Sequence, residues 1–193
     1  MLRLAILASG GGSNLQSILD ADAAGVLGML PSLVIVDRPC GALNRGVVAG
    51  IPTKLLDRKT LGTKLSGRVD EALEEAHIDF VALAGWLSIL DASVVDRWES
   101  RMVNIHPSLL PRHGGPGMYG IRVHRSVLDA GDVESGCSVH YVTAGVDEGT
   151  VIEQARVKVL DGDTPETLAA RVLAEEHRLY PAVLGALAQE FAG

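Results

Sequence analysis

The sequence is short of aromatic residues, cysteines and positive charge, and each shortage excludes a class of protein. Aromatic residues make up 4% of the 193 residues, and 17 Lys and Arg stand against 24 Asp and Glu, a formal net charge of -7. A nucleic-acid-binding protein would instead carry a basic stripe. The two cysteines, Cys40 and Cys137, form neither a disulfide framework nor a CxxC motif. We therefore expect a cytoplasmic protein that binds no nucleic acid.

Long apolar runs and clustered metal ligands are also missing. The apolar stretches fall short of the ~20 residues that a membrane-spanning helix needs, so we expect no membrane association. The six histidines do not stand at metal-ligand spacings, so we expect no bound metal. Hydrophobic residues make up 47% of the chain, enough to bury a sizeable core. We expect a single domain over residues 1–193 that acts on small molecules, as a monomer or a homodimer.

Strands and helices alternate along the chain as far as residue 106, which predicts a parallel sheet. The apolar run Leu2–Ala8 is typical of a buried parallel strand. Residues 137–142 and 151–159 predict two further strands with no helix between them, so this pair is antiparallel at one edge of the sheet. A long helix is predicted from Pro165 to about Phe191. The fold class is therefore α/β, with a doubly wound, mostly parallel twisted sheet, an antiparallel edge and a long C-terminal helix.

The first predicted strand runs into Ser9-Gly10-Gly11-Gly12-Ser13-Asn14, which we call the glycine turn, and a helix follows. Strand, glycine-rich turn and helix together present backbone N–H groups to an anion. A dinucleotide fingerprint would need a third glycine where Leu15 stands, although Asp37 stands where a ribose-binding acid could be. A turn with a purely structural role is a further alternative. The favoured interpretation is a single phosphate bound by Gly11, Gly12, Ser13 and Asn14.

A second candidate site follows the apolar run that ends at Ile105. Asn104 and His106 are two residues apart, so on a strand their side chains share one face, and Pro107 ends the strand's hydrogen bonding. Asp147, in a glycine-flanked turn, is the carboxylate that could favour the charged form of His106 and raise its pKa. An amide, an imidazole and a carboxylate suit acyl transfer without a covalent enzyme intermediate. The alternative is an Asn and a His buried in the core.

The remaining histidines are weaker candidates. His113 and His124 flank a glycine-rich loop at residues 111–120 and are interpreted mainly as polar loop and helix residues, with contact to substrate as the alternative. His140 alternates with Tyr141 in a predicted edge strand and is interpreted as structural.

Together with the glycine turn, three motifs resemble the phosphoribosylglycinamide formyltransferase family of folate-dependent formyltransferases. The motifs are Ala84-Gly85-Trp86-Leu87-Ser88-Ile89-Leu90, Asn104-Ile105-His106-Pro107-Ser108-Leu109-Leu110-Pro111 and Glu175-Glu176-His177-Arg178-Leu179-Tyr180-Pro181. The resemblance implies a Rossmann-like formyltransferase fold. It also implies transfer of a formyl group from 10-formyltetrahydrofolate, as co-substrate, to the amine of 5-phosphoribosylglycinamide in purine synthesis.

The resemblance further implies a role for each motif. Asn104 would stabilise the formyl oxygen as it becomes an oxyanion, His106 would be held protonated by Asp147, and Ser138 would support these catalytic groups. Substrate would bind in a phosphate and ribose half at about residues 1–100, and catalysis and folate binding would lie at about 101–193. The residues implied for substrate are Gly11, Gly12, Ser13, Asn14 and Glu176. Those implied for folate are Leu87, Ser88, Ile89, Leu90, Asn104, Ala144, Gly145 and Val146.

Two departures and two alternatives accompany the resemblance. The loop from Arg112 to Arg122 is longer than in the short form of the family. Ser88 stands where many family members carry arginine; if that arginine meets the folate, this protein makes the contact differently or binds folate more weakly. A formyltetrahydrofolate deformylase would tend to show a second histidine where Pro107 stands, and a domain before the first strand. A non-catalytic protein that binds a phosphate ligand would explain the glycine turn alone. It gives no reason for Asn104, His106 and Asp147 to converge.

Overall fold

A seven-stranded sheet with the order β3-β2-β1-β4-β5-β6-β7 forms the centre of the protein in the computed structural model, which describes residues 1–192. The last residue of the predicted domain, Gly193, lies outside the described residues. The strands are β1 (Leu2–Ala8), β2 (Met29–Val36), β3 (Thr53–Leu55), β4 (Phe80–Leu83), β5 (Met102–His106), β6 (Glu134–Tyr141) and β7 (Val151–Lys158).

Helices cover both faces of this sheet. They are α1 (Ser13–Ala23), α2 (Gly41–Val48), α3 (Arg58–Leu61), α4 (Leu65–Glu75), α5 (Ala92–Arg97), α6 (Ile121–Asp129) and α7 (Pro165–Ala192). Successive side chains of β1 point to opposite faces, so Leu4 and Ile6 enter the core under α1 and α7, whereas Ala5 and Leu7 enter the core under α4 and α5. This alternation explains why the β1 sequence is apolar throughout.

The connections of the sheet place a crevice at the carboxyl end of β1. This strand pairs in parallel with β2 on one side and with β4 on the other, so the chain winds outward in opposite directions from it. In doubly wound folds, ligands bind at such a topological switch point. The glycine turn and the Ala84–Leu90 segment follow β1 and β4, so both border the crevice.

The predicted fold class is confirmed. β1, β2, β3, β4 and β5 are parallel, and β6 and β7 are antiparallel additions beyond β5. The C-terminal helix α7 has 28 residues and includes Pro181. The outermost strand is β7, whereas β6 lies between β5 and β7, so the expectation of an edge strand at His140 was wrong. In residues 1–192, the helices are too short or too polar to cross a membrane.

Candidate active site

A cavity of about 660 Å³, which we call the main cavity, opens at the carboxyl ends of β4 and β5. Its walls come from four regions at about residues 83–90, 104–107, 115–121 and 140–147, from one face of α7, and from Asn14, Val95 and His124. Residues more than a hundred positions apart in the chain therefore meet in one space. The volume lies in the range of ordinary small-molecule sites.

Three of the predicted catalytic residues meet at one end of the main cavity. Asn104 and His106 project from the end of β5, and His106 Nδ1 lies 3.3 Å from Asp147 Oδ2. His106 Nε2 donates a hydrogen bond to the His113 carbonyl oxygen at 3.0 Å. Asp147 has a φ of 59°, and its Oδ2 also accepts a hydrogen bond from the Gly115 N–H at 3.0 Å. The glycine-rich loop thus touches both members of the pair.

His140 completes this group, although the sequence interpretation treated it as structural. β5 and β6 are paired so that Asn104 lies opposite His140, and Asn104 Nδ2 lies 3.0 Å from His140 Nε2. His140 Nδ1 donates to the Tyr141 carbonyl oxygen at 2.9 Å, because a carbonyl can only accept. In the neutral ring, Nε2 is therefore the acceptor for the Asn104 amide, which fixes the orientation of that amide. His140 Nε2 also lies 3.6 Å from Asp147 Oδ1.

The expected raised pKa of His106 was wrong in its net direction. Burial lowers the pKa of His106 below its usual value, and the nearby His140 and His113 lower it further. The charge of Asp147 and the His113 carbonyl raise it, as the sequence suggested for Asp147, but they do not outweigh burial. Burial alone would raise the pKa of Asp147, yet the nearby His140, the charge of His106 and a hydrogen bond from the Gly115 N–H lower it. Asp147 is thus a carboxylate that faces His106 Nδ1.

Ser138 supports this end of the site from beneath the cavity. It lies opposite His106 on β6 and is fully buried. Its Oγ donates to the Ser108 carbonyl at 2.6 Å and accepts hydrogen bonds from the Leu110 N–H at 3.0 Å and from Gln154 Nε2 at 2.8 Å. These bonds hold the segment that follows β5. Ser138 is absent from the cavity lining, so its position is that of a supporting residue.

The glycine turn lies at the amino end of α1. Gly12 has a φ of 76°, and a Cβ placed on it would lie 2.8 Å from Ala42 Cα, so this position requires glycine. The first helical bond of α1 runs from the Gln16 N–H to the Gly12 carbonyl at 2.9 Å. The N–H groups of the preceding residues are free to face an anion, as at any helix start. Of the four residues predicted for phosphate, Asn14 lines the main cavity, whereas Gly11, Gly12 and Ser13 lie beyond its lining.

Asn14 and Glu176 line the main cavity next to this turn. Asn14 Nδ2 donates to Glu176 Oε2 at 2.6 Å, and Asn14 Oδ1 is buried with no hydrogen-bond partner among residues 1–192. Burial raises the pKa of Glu176, and the hydrogen bond from Asn14 only partly offsets this. The pair therefore offers a ligand an unpaired amide oxygen and a carboxyl group close together.

The residues implied for folate binding form another wall of the main cavity. Ile89 is 73% exposed and Leu87 is 42% exposed, so this wall presents two apolar side chains to the cavity. Every residue implied for folate lines the cavity, namely Leu87, Ser88, Ile89, Leu90, Asn104, Ala144, Gly145 and Val146. The structure therefore brings this predicted set together.

The structure supports the sequence interpretations of three further residues to different extents. These residues are Asp37, His113 and His124. Asp37 is fully buried and bonded to other side chains, so it is not open to a ribose, and this disfavours the dinucleotide alternative. The ring of His113 bonds to Ser126 and Asp132, as expected of a polar loop residue. His124 instead lines the main cavity and is 4% exposed, and burial lowers its pKa to about 4.

Within the described part of the chain, no group of His, Cys, Asp and Glu could hold a metal ion.

Comparisons with known proteins identify the family to which the chain is similar. Residues 2–184 match the family model described as formyl transferase. The chain is 40% identical over 193 residues to a chloroplastic phosphoribosylglycinamide formyltransferase of Arabidopsis thaliana, across 97% of this chain and 66% of that protein. It is 41% identical over 191 residues to the trifunctional purine biosynthetic protein adenosine-3 of Drosophila pseudoobscura pseudoobscura, across 96% of this chain and 14% of that protein.

A solved structure shows the same similarity over most of both chains. Glycinamide ribonucleotide transformylase 1 from Symbiobacterium toebii superposes with a TM-score of 0.92 at 39% identity, covering 98% of this chain and 89% of that one. The chain spans about two thirds or less of the length of the curated relatives named above. By the family match and this structural similarity, the chain belongs to the formyl transferase family, among the phosphoribosylglycinamide formyltransferases.

Proposed function

We propose that the protein transfers a formyl group from 10-formyltetrahydrofolate to the amine of 5-phosphoribosylglycinamide, a step of purine synthesis. The observation that carries this proposal is the continuity of the main cavity. It joins the Asn104, His106 and Asp147 group at one end to the Asn14 and Glu176 pair at the other. One space can therefore hold a formyl donor and a phosphorylated acceptor with the reacting atoms near His106.

In the proposed reaction the amine attacks the formyl carbon. A C–N bond forms, and the carbonyl π electrons move to the oxygen, where the Asn104 side-chain amide donates a hydrogen bond. Donors aimed at the position where negative charge develops lower the barrier of acyl transfer. The contact between Asn104 Nδ2 and His140 Nε2 at 3.0 Å supports this role, because it holds the amide in one orientation before the reaction.

The tetrahedral intermediate then loses a proton from the attacking nitrogen and breaks its bond to the folate nitrogen, which takes up a proton. His106 is the group proposed to carry this proton. Its lowered pKa leaves the ring neutral and able to accept a proton at neutral pH. Because Nε2 holds the ring proton in its bond to the His113 carbonyl, the neutral ring accepts a proton at Nδ1, 3.3 Å from the Asp147 carboxylate, which stabilises the imidazolium that results. In this proposal His106 is neutral before the reaction and charged only during it, whereas the resemblance implied a histidine held protonated by Asp147.

The substrates are proposed to bind at the two sides of this centre. The backbone donors of Gly11, Gly12, Ser13 and Asn14 hold the phosphate, and Glu176 accepts hydrogen bonds from the ribose. The formyl-folate lies against the exposed apolar side chains of the Ala84–Leu90 segment and against residues 144–146. No metal takes part in this proposal, because the amide and the imidazole supply the charge stabilisation and the proton transfer.

The organisation of the molecule is also a proposal. Residues 1–193 act as a single formyltransferase domain. The observation that supports this proposal is that one sheet runs through both halves of the chain. Ser88 comes from the half proposed for phosphate and ribose, and Glu176 from the other, so each half contributes to both ligands. The partners are small molecules, the compartment is the cytoplasm, and the protein is a monomer or a homodimer.

An absorbance assay with each substrate omitted in turn tests the proposed function. Purified protein should release tetrahydrofolate from 10-formyltetrahydrofolate only when phosphoribosylglycinamide is present. Equal release without the glycinamide would indicate the deformylase alternative, and no release under any condition would indicate a protein that only binds a phosphate ligand.

Variants at the catalytic end tie that activity to the site. Asn104→Ala and His106→Ala should each lower the rate by a factor of about 10² or more. Both variants should keep the native circular dichroism spectrum. If both lose it, these residues have a structural role in the core instead.

A further inference from the structure

The carboxylate of Asp37 lies directly beside the crevice but outside the cavity lining. Asp37 follows β2 and is 0% exposed. Arg38 Nε donates to Oδ1 at 2.8 Å and Arg38 Nη2 donates to Oδ2 at 2.8 Å. The Ser88 hydroxyl donates to Oδ2 at 2.5 Å. A buried charge is retained only when it is paired and hydrogen-bonded, and here three donors meet one carboxylate.

These contacts cross the topological switch point of the sheet. Ser88 follows β4, and the carboxylate that it contacts follows β2, so the contact passes over the end of β1, which lies between them. Ser9, at that end of β1, accepts a hydrogen bond from the Leu87 N–H at 2.9 Å and donates its own N–H to the Gly85 carbonyl at 3.0 Å. Residues 85–88 are therefore tied to the first residue of the glycine turn and to Asp37.

The protonation of Asp37 agrees with this arrangement. Burial raises the pKa of Asp37, but hydrogen bonds from Arg38, Ser88 and Ser9 together lower it by more. The pKa of Asp37 therefore lies below its usual value. The carboxylate is thus ionised at neutral pH and can accept from all of these donors at once. An asparagine of the same shape would offer one acceptor oxygen and would leave Arg38 without its countercharge.

We propose that Asp37 is a positioning residue that holds the Ala84–Leu90 segment against the glycine turn, so that one buried carboxylate sets the geometry of both sides of the crevice. The identity of the ligand held by that segment, a formyl-folate, rests on the proposed function. Asp37 itself touches no substrate. Its effect reaches the ligand through Ser88, which lines the main cavity, and through Ser9 and Leu87.

Trp86 gives a local readout of this effect that does not depend on activity. The chain has two tryptophans, Trp86 in the segment itself and Trp98 elsewhere. In a Trp98→Phe background, the fluorescence therefore reports Trp86 alone, which is 8% exposed. Asp37→Asn in this background should raise the acrylamide quenching constant of Trp86 about twofold or more, because the segment loses its anchor. A quenching constant equal to that of the background protein would overturn the proposal.

Steady-state kinetics supply the second readout. Asp37→Asn should raise the KM for 10-formyltetrahydrofolate about tenfold and leave kcat within about threefold, because the catalytic group keeps its own contacts. Ser88→Ala, which removes one hydroxyl and keeps the ion pair of Asp37 with Arg38, should shift the KM in the same direction by a smaller factor. This variant also tests the proposal if Asp37→Asn does not fold. A fall in kcat with an unchanged KM in both variants would contradict a positioning role at the folate side.

Asp163 offers a matched control. Its carboxylate is also paired with an arginine through both oxygens, since Arg171 Nη1 lies 2.8 Å from Oδ2 and Arg171 Nη2 lies 2.9 Å from Oδ1. Asp163 precedes α7 and does not line the main cavity. Asp163→Asn should therefore leave both the Trp86 quenching and the KM at their wild-type values.

The outcomes of this set are distinct. Equal changes of quenching and KM in both aspartate variants would mean general loosening of the protein, and would overturn the proposal. If the wild-type protein shows no formyl transfer, the proposed function fails, whereas the Trp86 quenching still decides whether Asp37 holds the segment.

Discussion

Replacing His124 with leucine should reduce the sensitivity of the fold to acid. His124 is 4% exposed, its Nδ1 has no hydrogen-bond partner within residues 1–192, and burial lowers its pKa from 6.5 to about 4, with His106 contributing in the same direction. Between these two pH values the unfolded chain binds a proton that the folded chain does not. The free energy of unfolding therefore falls as the pH drops through this window.

The size of the effect follows from the shift of this pKa. One pKa unit corresponds to about 1.4 kcal/mol, so His124 should account for a loss of about 2 kcal/mol between pH 7 and about pH 4.5. His106 has a lowered pKa as well and adds to the loss in the wild-type protein, so the difference between wild type and variant isolates His124. Urea unfolding followed by circular dichroism at the two pH values measures that difference directly.

The control for this experiment is His77, which is exposed on the surface. His77→Asn removes a histidine without removing a buried imidazole, and asparagine tolerates its φ of 49°. The wild-type protein and His77→Asn should lose similar stability on acidification, and His124→Leu should lose about 2 kcal/mol less. If His124→Leu loses as much as the wild type, His124 is protonated inside the fold and the burial argument fails.

Three other variants, with one control variant, probe the two ends of the main cavity and the turn between β1 and α1. Asp147→Asn should lower kcat by a factor of about 10² and leave substrate affinity in calorimetry nearly unchanged, and full activity would contradict the role of its charge. Gly12→Ala should cost about 2 to 4 kcal/mol in urea unfolding, because of its positive φ and the 2.8 Å approach to Ala42. Gly10→Ala, with open space around its Cβ, should cost far less, and equal costs would contradict the steric argument. Glu176→Gln should raise the KM for phosphoribosylglycinamide about tenfold with an unchanged KM for the folate. A change in the folate KM alone would mean that Glu176 contacts the folate and not the ribose.

The features that the sequence could predict depend on local residue patterns, such as apolar runs and the spacing of side chains along a strand. β1 was predicted at Leu2–Ala8 and lies there, because an unbroken apolar run before glycines has few alternatives. The two-residue spacing of Asn104 and His106 placed them on one face of β5, and both line the main cavity. The approach of Asp147 was a weaker inference, since an aspartate in a turn has many possible roles.

The features that the sequence could not predict depend on register and burial. His140 meets Asn104 only because β5 and β6 pair with those two residues opposite each other, and no local pattern encodes that register. The net pKa of His106 depends on how deeply the ring is buried, which is a property of the whole fold. Asp37 had the spacing of a ribose-binding acid, yet Arg38 and Ser88 occupy its carboxylate. A motif alone does not show which side chains are already paired.

The fate of the formyl carbon tests the central claim most directly. 10-formyltetrahydrofolate labelled with ¹³C at the formyl group can be mixed with the protein and phosphoribosylglycinamide, and the label followed by NMR. Direct transfer predicts that the label appears in the formylated glycinamide, in step with the release of tetrahydrofolate and without free formate. Label that accumulates as formate, with the glycinamide unchanged, would contradict the account.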